Sequence, residues 1–425
     1  MREMKDSGIE WIGDIPTSWT TNKGKYLFQQ RSTKGNHIEL QLLSPTQKFG
    51  VIPQSMFEEL TTNTAVKINE KTDLMTFKTI HRGDYCISLR SFQGGFEYSL
   101  YEGVVSPAYT VFFKKGDLCN GYYKYLFKDQ SFIKEMNSYT LSLRDGKNIS
   151  FDDFGNTYLP IPPLAEQETI TDYLDSKCAE IDSLISDILS QIEALEEYKK
   201  SLVFRVVSKG IKKANLKSTV SDVWTAIPEN WELIDIKYVF EIVKRIAGQE
   251  GFDVLSVTQK GLKVKDIESN NGQQAESYAG YQFVYPTDYV MNHMDLLTGW
   301  VDCSTMFGVT SPDYRVFRLR DKENNDLTYF KYVMQCCYMS RIFYSLGQGV
   351  SNLGRWRLQT SAFNNFMIPV PPLEEQREIA EYLDTKISEI DTIIADKQKQ
   401  IETIEEYKKS LIFEYVTGKK EVIFQ

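Results

Sequence analysis

Two long stretches of the chain repeat apolar side chains at alternating steps of four and three residues. Prolines stand directly before each stretch, at positions 160, 162 and 163 and at 369, 371 and 372, and they prevent an earlier helix start. A period of about 3.5 residues predicts two coiled-coil helices of about 42 residues that pair antiparallel. The alternative is that each helix packs only on the globule beside it. The apolar positions are Leu174, Cys178, Ile181, Ile185, Ile188, Ile192, Leu195 and Leu202, then Leu383, Ile387, Ile390, Ile394, Ile401, Ile404 and Leu411.

The two stretches are near copies of each other. Residues 160–202 align with residues 369–411 at a fixed offset of 209, and 26 of the 43 aligned positions are identical. Both begin with Pro-x-Pro-Pro-Leu-x-Glu-Gln, continue through Tyr-Leu-Asp and end with Glu-Glu-Tyr-Lys-Lys-Ser-Leu. Such self-similarity indicates a duplicated module.

A weaker repeat joins the regions between the helices. Ile-Pro-x-x-Trp at residues 15–19 recurs at 227–231, and Lys-Tyr at 25–26 recurs at 237–238. Leu-Ser-x-Thr-Gln-Lys at 43–48 recurs at 255–260, and Gly-Val-x-Ser-Pro-x-Tyr-x-Val-Phe at 103–112 recurs at 308–317. Between these blocks the two halves differ freely.

The repeat predicts four segments: a globule over 1–160, a central long helix over 161–210, a second globule over 211–368, and a C-terminal long helix over 369–425 that pairs with the central one. We predict strands at Asp84–Leu89, Tyr109–Phe113, Asp288–Asn292 and Tyr314–Leu319, and helices near 121–138 and 327–344. The fold class is therefore α/β in the mixed α+β sense. Two similar globules are separated by two long helices that form an antiparallel coiled coil, as a pseudo-twofold tandem repeat.

Charge is distributed unevenly along the chain. The net charge is −9, which taken whole argues against a nucleic-acid partner. Counted by segment, each long helix carries −5, while the first globule carries +1 and the second 0. Either globule can therefore carry a basic patch on one face.

Composition and motifs exclude several classes of protein. No apolar run suits a membrane span or a signal peptide, and six scattered cysteines indicate a reducing, cytoplasmic setting. The three histidines offer no zinc spacing and no catalytic triad, and the chain has no phosphate-binding loop. The strings Ser-Pro-Ala-Tyr at 106–109 and Ser-Pro-Asp-Tyr at 311–314 lack the amide and second proline that an adenine methyltransferase needs. We therefore expect no catalytic or metal site.

The opening Lys-Asp-Ser-Gly-Ile-Glu-Trp-Ile-Gly-Asp-Ile-Pro-x-x-Trp at 5–19, the doubled Pro-Pro-Leu-x-Glu-Gln and the doubled Glu-Glu-Tyr-Lys-Lys-Ser-Leu resemble the DNA-specificity subunit of type I restriction–modification systems. The resemblance covers essentially the whole chain. It implies two target-recognition domains, one per globule, that each read half of a split, asymmetric site in double-stranded DNA, with the paired helices as a ruler.

The same resemblance implies the partners. Two copies of an adenine-methylating modification subunit would dock on the helices, and restriction and translocase subunits would join them. S-adenosylmethionine, ATP and magnesium would belong to those subunits and not to this chain. The rival interpretation is a protein–protein scaffold built on a coiled coil, and a second rival is an enzyme with an unrecognised site.

Polar and basic loop residues are the candidates for DNA contact, because Arg pairs with guanine and Gln or Asn with adenine. The alternative is that each is a solvated surface residue. The candidates are Thr46, Gln47, Lys48, Arg90, Gln93, Arg144 and Lys147 in the first globule, and Thr258, Gln259, Lys260, His293, Asn352, Arg355 and Arg357 in the second.

The doubled motifs of the helices are the candidates for partner docking, because a repeated surface suits two copies of one partner. The alternative is that they are coiled-coil flanks. The candidates are Tyr173, Asp175, Tyr198, Lys199, Tyr382, Asp384, Tyr407 and Lys408.

Overall fold

The chain divides into two units, and each unit contains one globule and part of both long helices. The computed structural model describes residues 2–34, 40–61, 76–88, 95–139, 149–266, 275–349 and 356–423. Unit 1 comprises Met1–Ile188 and Lys399–Gln425, and unit 2 comprises Leu189–Gln398. The four segments predicted above follow the repeat and not these units, so their boundaries stay a prediction.

Unit 1 consists of short strands and helices that lead into a long helix, α6. Its elements are β1 (Met4–Asp6), β2 (Asp14–Pro16), β3 (Thr20–Lys23), α1 (Gly24–Leu27), β4 (Phe28–Arg31), β5 (Leu43–Thr46), β6 (Gly50–Pro53), α2 (Gln54–Leu60), β7 (Lys78–Ile80), β8 (Tyr85–Ile87), β9 (Phe96–Tyr98), β10 (Gly103–Val105), β11 (Thr110–Lys114), α3 (Asn120–Leu126), α4 (Gln130–Ser138), α5 (Phe151–Asn156), β12 (Tyr158–Ile161) and the start of α6 (Leu164–Lys209).

Unit 2 takes the rest of α6 and a second set of elements. They are β13 (Leu216–Ser218), β14 (Ala226–Pro228), β15 (Glu232–Asp235), α7 (Ile236–Val239), β16 (Phe240–Val243), β17 (Leu255–Thr258), β18 (Gly261–Val264), β19 (Gln282–Val284), β20 (Tyr289–Met291), β21 (Val301–Cys303), β22 (Gly308–Thr310), β23 (Arg315–Leu319), α8 (Leu327–Met339), α9 (Ile342–Ser345), α10 (Thr360–Asn364), β24 (Met367–Val370) and α11 (Leu373–Val416), whose last part belongs to unit 1.

The strand pairing of unit 2 repeats that of unit 1 element by element. Unit 1 has the four-stranded order β4-β11-β8-β9 and the pairs β1-β2, β12-β3, β5-β6 and β10-β7. Adding twelve to each number gives the sheets of unit 2, β16-β23-β20-β21, β13-β14, β24-β15, β17-β18 and β22-β19. All these pairings are antiparallel, so each globule is α+β rather than an alternating parallel α/β fold. The four predicted strands are confirmed as β8, β11, β20 and β23.

The aromatic core is duplicated as well. Tyr85 stacks on Phe112 across β8 and β11 at a centroid distance of 5.2 Å, and Phe28 of β4 packs edge-on against both rings. In unit 2, Tyr289 stacks on Phe317 at 5.3 Å, and Phe240 takes the edge-on position. The same arrangement of three rings under loops that differ is what we expect of a copied and diverged module.

The helix predicted near 121–138 is two helices. Asp129 interrupts it, because its carboxylate accepts hydrogen bonds from the backbone N–H groups of Ser131 and Phe132 and caps α4. The helix predicted near 327–344 is likewise interrupted, with α8 ending at Met339 and α9 beginning at Ile342.

Helices α6 and α11 pack together in an antiparallel sense within each unit. In unit 1, Lys408 Nζ lies 2.6 Å from an Asp182 carboxylate oxygen; in unit 2, the equivalent Lys199 lies 2.6 Å from Asp391. The predicted apolar stripes supply core in both units, and they share it with the globules. Pairing and packing on a globule therefore occur together. Within the described residues, neither helix is apolar enough to cross a bilayer.

A buried glutamine joins each globule to a long helix. Gln167 accepts a hydrogen bond from the Cys119 N–H at 2.8 Å and donates to the Pro162 carbonyl at 2.8 Å. Gln376 accepts from the Asp326 N–H at 2.8 Å and donates to the Pro371 carbonyl at 2.9 Å. Both glutamines end a copy of the Pro-Pro-Leu-x-Glu-Gln motif, so this motif is a structural joint. We call the pair the glutamine clamps.

We expect Gln376→Leu to lower the free energy of unfolding by about 2–4 kcal/mol. The substitution leaves the part-buried Asp326 N–H and the buried Pro371 carbonyl without partners, at a cost of about 1–3 kcal/mol for each buried group. The measurement is urea denaturation of the full chain. Gln398→Leu, the same change at an exposed position of α11, is the matched control and should change stability by less than about 0.5 kcal/mol. Equal effects of the two substitutions would contradict a role for the clamp.

Candidate nucleic-acid interface and partner surface

Two β-hairpins at corresponding places carry the repeated Thr-Gln-Lys. Thr46 Oγ1 donates to the Gly50 carbonyl at 2.9 Å in the β5–β6 turn, and Thr258 Oγ1 donates to the Gly261 carbonyl at 2.9 Å in the β17–β18 turn. The threonine hydroxyls therefore close the turns. Their predicted DNA contact stays a prediction, but their repetition already has this structural reason.

The glutamine and lysine after each threonine are exposed at the hairpin tips. Lys48 Nζ lies 5.3 Å from the centre of the Phe49 ring. In unit 2, Gln259 and Lys260 line a groove of about 600 Å³, and Lys199 of α6 lines it too. The structure thus brings together residues that the sequence assigned to DNA contact and to partner docking.

Six predicted DNA-contact residues have positions outside the described part of the chain. They are Arg90, Gln93, Arg144, Lys147, Asn352 and Arg355.

The remaining two candidates, His293 and Arg357, belong to loops that meet in the second globule. The Leu358 N–H donates to the His293 carbonyl at 3.0 Å, and Gln348 and Arg357 exchange backbone hydrogen bonds at 3.0 and 3.1 Å. Trp356 packs on Tyr344 at a centroid distance of 5.1 Å. Residues 292–299 and the paired segments 346–349 and 356–358 therefore form one anchored tip, which we call the reading tip. Arg357 is exposed on it.

His293 itself lies below the surface of the reading tip. Its side chain is 7% exposed, and its Nδ1 has no hydrogen-bond partner among the described residues. Burial, together with the positive charges of Arg315 and Arg357, lowers the pKa of His293 to about 3. The imidazole is therefore neutral at pH 7. The backbone carbonyl of His293, not its ring, makes the hydrogen bond that holds the tip. Base contact by His293 stays a prediction, and the burial of its side chain disfavours it.

Arg315 is a residue that sequence reasoning missed. It is 4% exposed, its Nη2 donates to the Leu358 carbonyl at 3.1 Å, and its guanidinium lies 4.5 Å from the centre of the Phe363 ring. Burial lowers the pKa of Arg315 to about 10. The corresponding position in the first globule holds Thr110, since both residues begin the equivalent strands β11 and β23. Both residues directly follow the repeated Ser-Pro-x-Tyr, so an alignment of the two copies at that position could have revealed the difference.

The predicted docking aspartates have partners inside the chain. Lys124 Nζ and Tyr125 OH of α3 each lie 2.6 Å from Asp175 Oδ1. In unit 2, Tyr332 OH donates to Asp384 Oδ1 at 2.5 Å, and Lys331 Nζ lies 3.6 Å from the same atom. These contacts tie a globule to a helix in each unit and give the repeated aspartate of Tyr-Leu-Asp a structural reason.

The other docking candidates divide into packed and exposed residues. Tyr173 packs on Tyr415 at a centroid distance of 4.6 Å, and Tyr382 packs against the core of unit 2. Lys199 and Lys408 form the ion pairs described above. Tyr198 and Tyr407 are 54% and 57% exposed. They remain available for a partner, although docking by any of these residues stays a prediction.

Among the described residues, no three His, Cys, Asp or Glu side chains are grouped as a metal site would require.

We expect His293 to make the folded chain less stable as the pH falls. The unfolded state, with an ordinary pKa of 6.5, binds a proton between pH 6.5 and 3 that the folded state does not bind. The contribution of neutral His293 to the free energy of unfolding is therefore fully present above pH 6.5. It decreases below that pH, by about 2 kcal/mol between pH 7 and pH 5. Urea denaturation at both pH values measures this change.

His293→Leu should remove that part of the pH dependence. His81→Asn is the control, since His81 is an exposed histidine that contacts Glu102 at 2.6 Å. If wild type and His293→Leu lost stability in parallel, the proposed protonation state of His293 would be wrong.

Comparison with known proteins identifies the family. A model described as the type I restriction modification DNA specificity domain matches residues 15–194 and again residues 228–403. The type I restriction enzyme MjaVIII specificity subunit of Methanocaldococcus jannaschii is 26% identical over 383 residues, which cover 84% of this chain and 81% of that protein.

A solved structure from work on complex assembly and conformational transition of the type I R-M system shares the fold. Its TM-score is 0.66 at 13% identity, over 95% of this chain and 98% of that chain. Because the family model matches both copies of the repeat, the chain belongs to the type I restriction–modification DNA-specificity family, and it is the DNA-recognising, non-catalytic subunit of such a system.

Proposed function

We propose that this subunit recognises a bipartite, asymmetric DNA site, with one half-site for each globule. The observation that carries the proposal is the identical strand pairing of the two globules, which differ in the loops between shared blocks. Because the strands pair in the same way, the loops of the two globules occupy equivalent positions. Because the loops differ in sequence, each globule can recognise a different set of bases. Specificity comes from contacts to base edges, which loops can supply.

The reading tip is the proposed base-contacting surface of the second globule. Arg357 is an exposed residue of this tip. An arginine can form two hydrogen bonds to a guanine base, at O6 and N7. The hydrogen bonds that anchor Trp356 and Leu358 to residues 292–299 would hold Arg357 in place before DNA arrives.

We propose that α6 and α11 set the gap between the half-sites. Each of these helices supplies residues to both units, and the ion pair between Lys199 and Asp391 recurs as the pair between Lys408 and Asp182. Matched pairing in both units supports a stiff spacer of fixed length.

Members of this family work with other restriction–modification subunits, and we propose two copies of the modification subunit as the partners that dock on the helices. Exposed Tyr198 and Tyr407 occupy equivalent positions, and tyrosine is enriched in protein interfaces. We further propose that restriction and translocase subunits join this complex in the cytoplasm. S-adenosylmethionine, ATP and magnesium would be bound by those partners.

DNA footprinting of the chain with its modification subunit tests the proposed function. We expect protection of two short sequences separated by a fixed gap. We expect Arg357→Ala to weaken recognition of one half-site by about 1–3 kcal/mol, since it removes one base-specific pair, and to leave the other half-site unchanged. A single continuous protected sequence, or the absence of any protected sequence, would contradict a bipartite reader and favour a scaffold.

Lengthening the helices tests the spacer. Seven residues inserted after Ser190 and seven after Gln398 extend both helices at the same level, since Gln191 and Lys397 are hydrogen-bonded partners. At about 1.5 Å per residue the pair grows by about 10 Å, or about three base pairs of DNA. Sequencing of methylated adenines should show a longer gap between unchanged half-sites. Glu193→Gln, which keeps the helix length, is the control, and a change in the recognised bases would show that the helices are not the spacer.

A further inference from the structure

The groove in unit 2 is bounded by the β17–β18 hairpin tip, helix α8 and the two long helices. Its volume is about 600 Å³. Unlike a small-molecule pocket, which is lined mainly by apolar groups, it is lined by many charged side chains. Five of them are cations: Lys199, Lys200, Lys260, Lys331 and Arg341.

Cations outnumber carboxylates in this groove. The lining carboxylates are Glu196, Asp302 and Asp391. Three of the five cations already have ion-pair partners: Lys199 pairs with Asp391, Lys200 with Glu197 and Lys331 with Asp384. Asp302 accepts a hydrogen bond from the Leu262 N–H at 2.9 Å. Lys260 and Arg341 are exposed and have no ion-pair partner in the described part of the chain. Both can therefore receive an anion without breaking an existing contact.

Two cations at one groove that have no ion-pair partner among the described residues matter in a chain with a net charge of −9. DNA binding depends on the neutralisation of backbone phosphates by lysine and arginine. Each long helix carries a net charge of −5, so unpaired cations outside the helices favour contact with the backbone more than the helices themselves do. Lys260 and Arg341 supply such cations at this groove.

Four of the five cations have counterparts in unit 1. Lys48 occupies the tip of the equivalent hairpin, Lys124 contacts Asp175 as Lys331 contacts Asp384, and Lys408 and Lys409 repeat Lys199 and Lys200. Cations that recur at equivalent positions of the two units, beside loops that differ, suit a target that is the same in both half-sites. The sugar–phosphate backbone is that target, since it does not vary with base sequence.

Arg341 adds a cation that is held in an unusual backbone conformation. Its φ angle is 54°, in the left-handed region where non-glycine residues are uncommon. The charged side chain therefore stands at a position that favours glycine or asparagine. A phosphate bound in the groove would form an ion pair with this guanidinium group.

We propose that this groove binds the DNA sugar–phosphate backbone beside the half-site read by the second globule, with Lys260 and Arg341 as the phosphate ligands. Leu297 and Gly299 of the reading tip line the same groove, so a backbone in the groove would lie next to the base-contacting loops. This inference rests on the proposed function, because it needs DNA at the reading tip.

The test is the salt dependence of DNA binding by the full chain with its modification subunit. The variant is Lys260→Gln with Arg341→Asn, in which asparagine tolerates the left-handed backbone. Thr258, not Lys260, holds the turn, so the hairpin should remain folded. We expect the slope of log K against log salt to decrease by about two, and binding to weaken equally on the cognate site and on unrelated DNA. Lys263→Gln, at an exposed lysine of the same hairpin outside the groove, should change neither quantity.

Three outcomes would overturn the proposal: an unchanged slope, a loss confined to one base sequence, or a loss of the modification subunit with an unchanged slope. The last outcome would assign the groove to a protein partner. If the wild-type complex bound no sequence specifically, the proposed function would fail first, so the two failures are distinguishable.

Discussion

The glutamine clamps are the interaction on which the rest of the structure depends. Each clamp uses one buried amide to join a backbone N–H of a globule to a proline carbonyl at the start of a long helix. The aspartates of the Tyr-Leu-Asp motifs add a second tie to the same helix. Because both ties recur in the two units, each globule is held on its helices in the same way. The globules can then differ in their loops without any change in how they are mounted.

Much of this frame could be predicted from the amino-acid sequence. The 3.5-residue period and the prolines predicted both helices, because these signals are local in the chain. The order of the strands could not be predicted, since β4 pairs with β11 across more than 75 residues. The clamps could not be predicted either. A glutamine in a helix start looks like a surface residue until its partner, such as Cys119 for Gln167, is placed beside it.

The candidate site was predicted less well, for the same reason. Thr46 and Thr258 are polar residues of a repeated motif, but their hydroxyls bond within the turn. His293 looked like a surface polar residue and is buried, whereas Arg315 was overlooked in a strand. Side-chain burial is set by tertiary packing, which composition and spacing do not report. The two repeated modules within the chain can be compared with each other. Exposed residues that they share indicate contacts that do not depend on DNA sequence, and exposed residues that differ indicate base recognition.

The most direct measurement uses a chain in which residues 211–368 are replaced by a second copy of residues 1–160. Both globules would then carry the same loops on the same clamps. Sequencing of methylated adenines in cells that carry this chain and its modification subunit should reveal a site built from two copies of one half-site. Retention of the original asymmetric site, or methylation of an unrelated sequence, would contradict the view that the globules are equivalent, independently mounted readers.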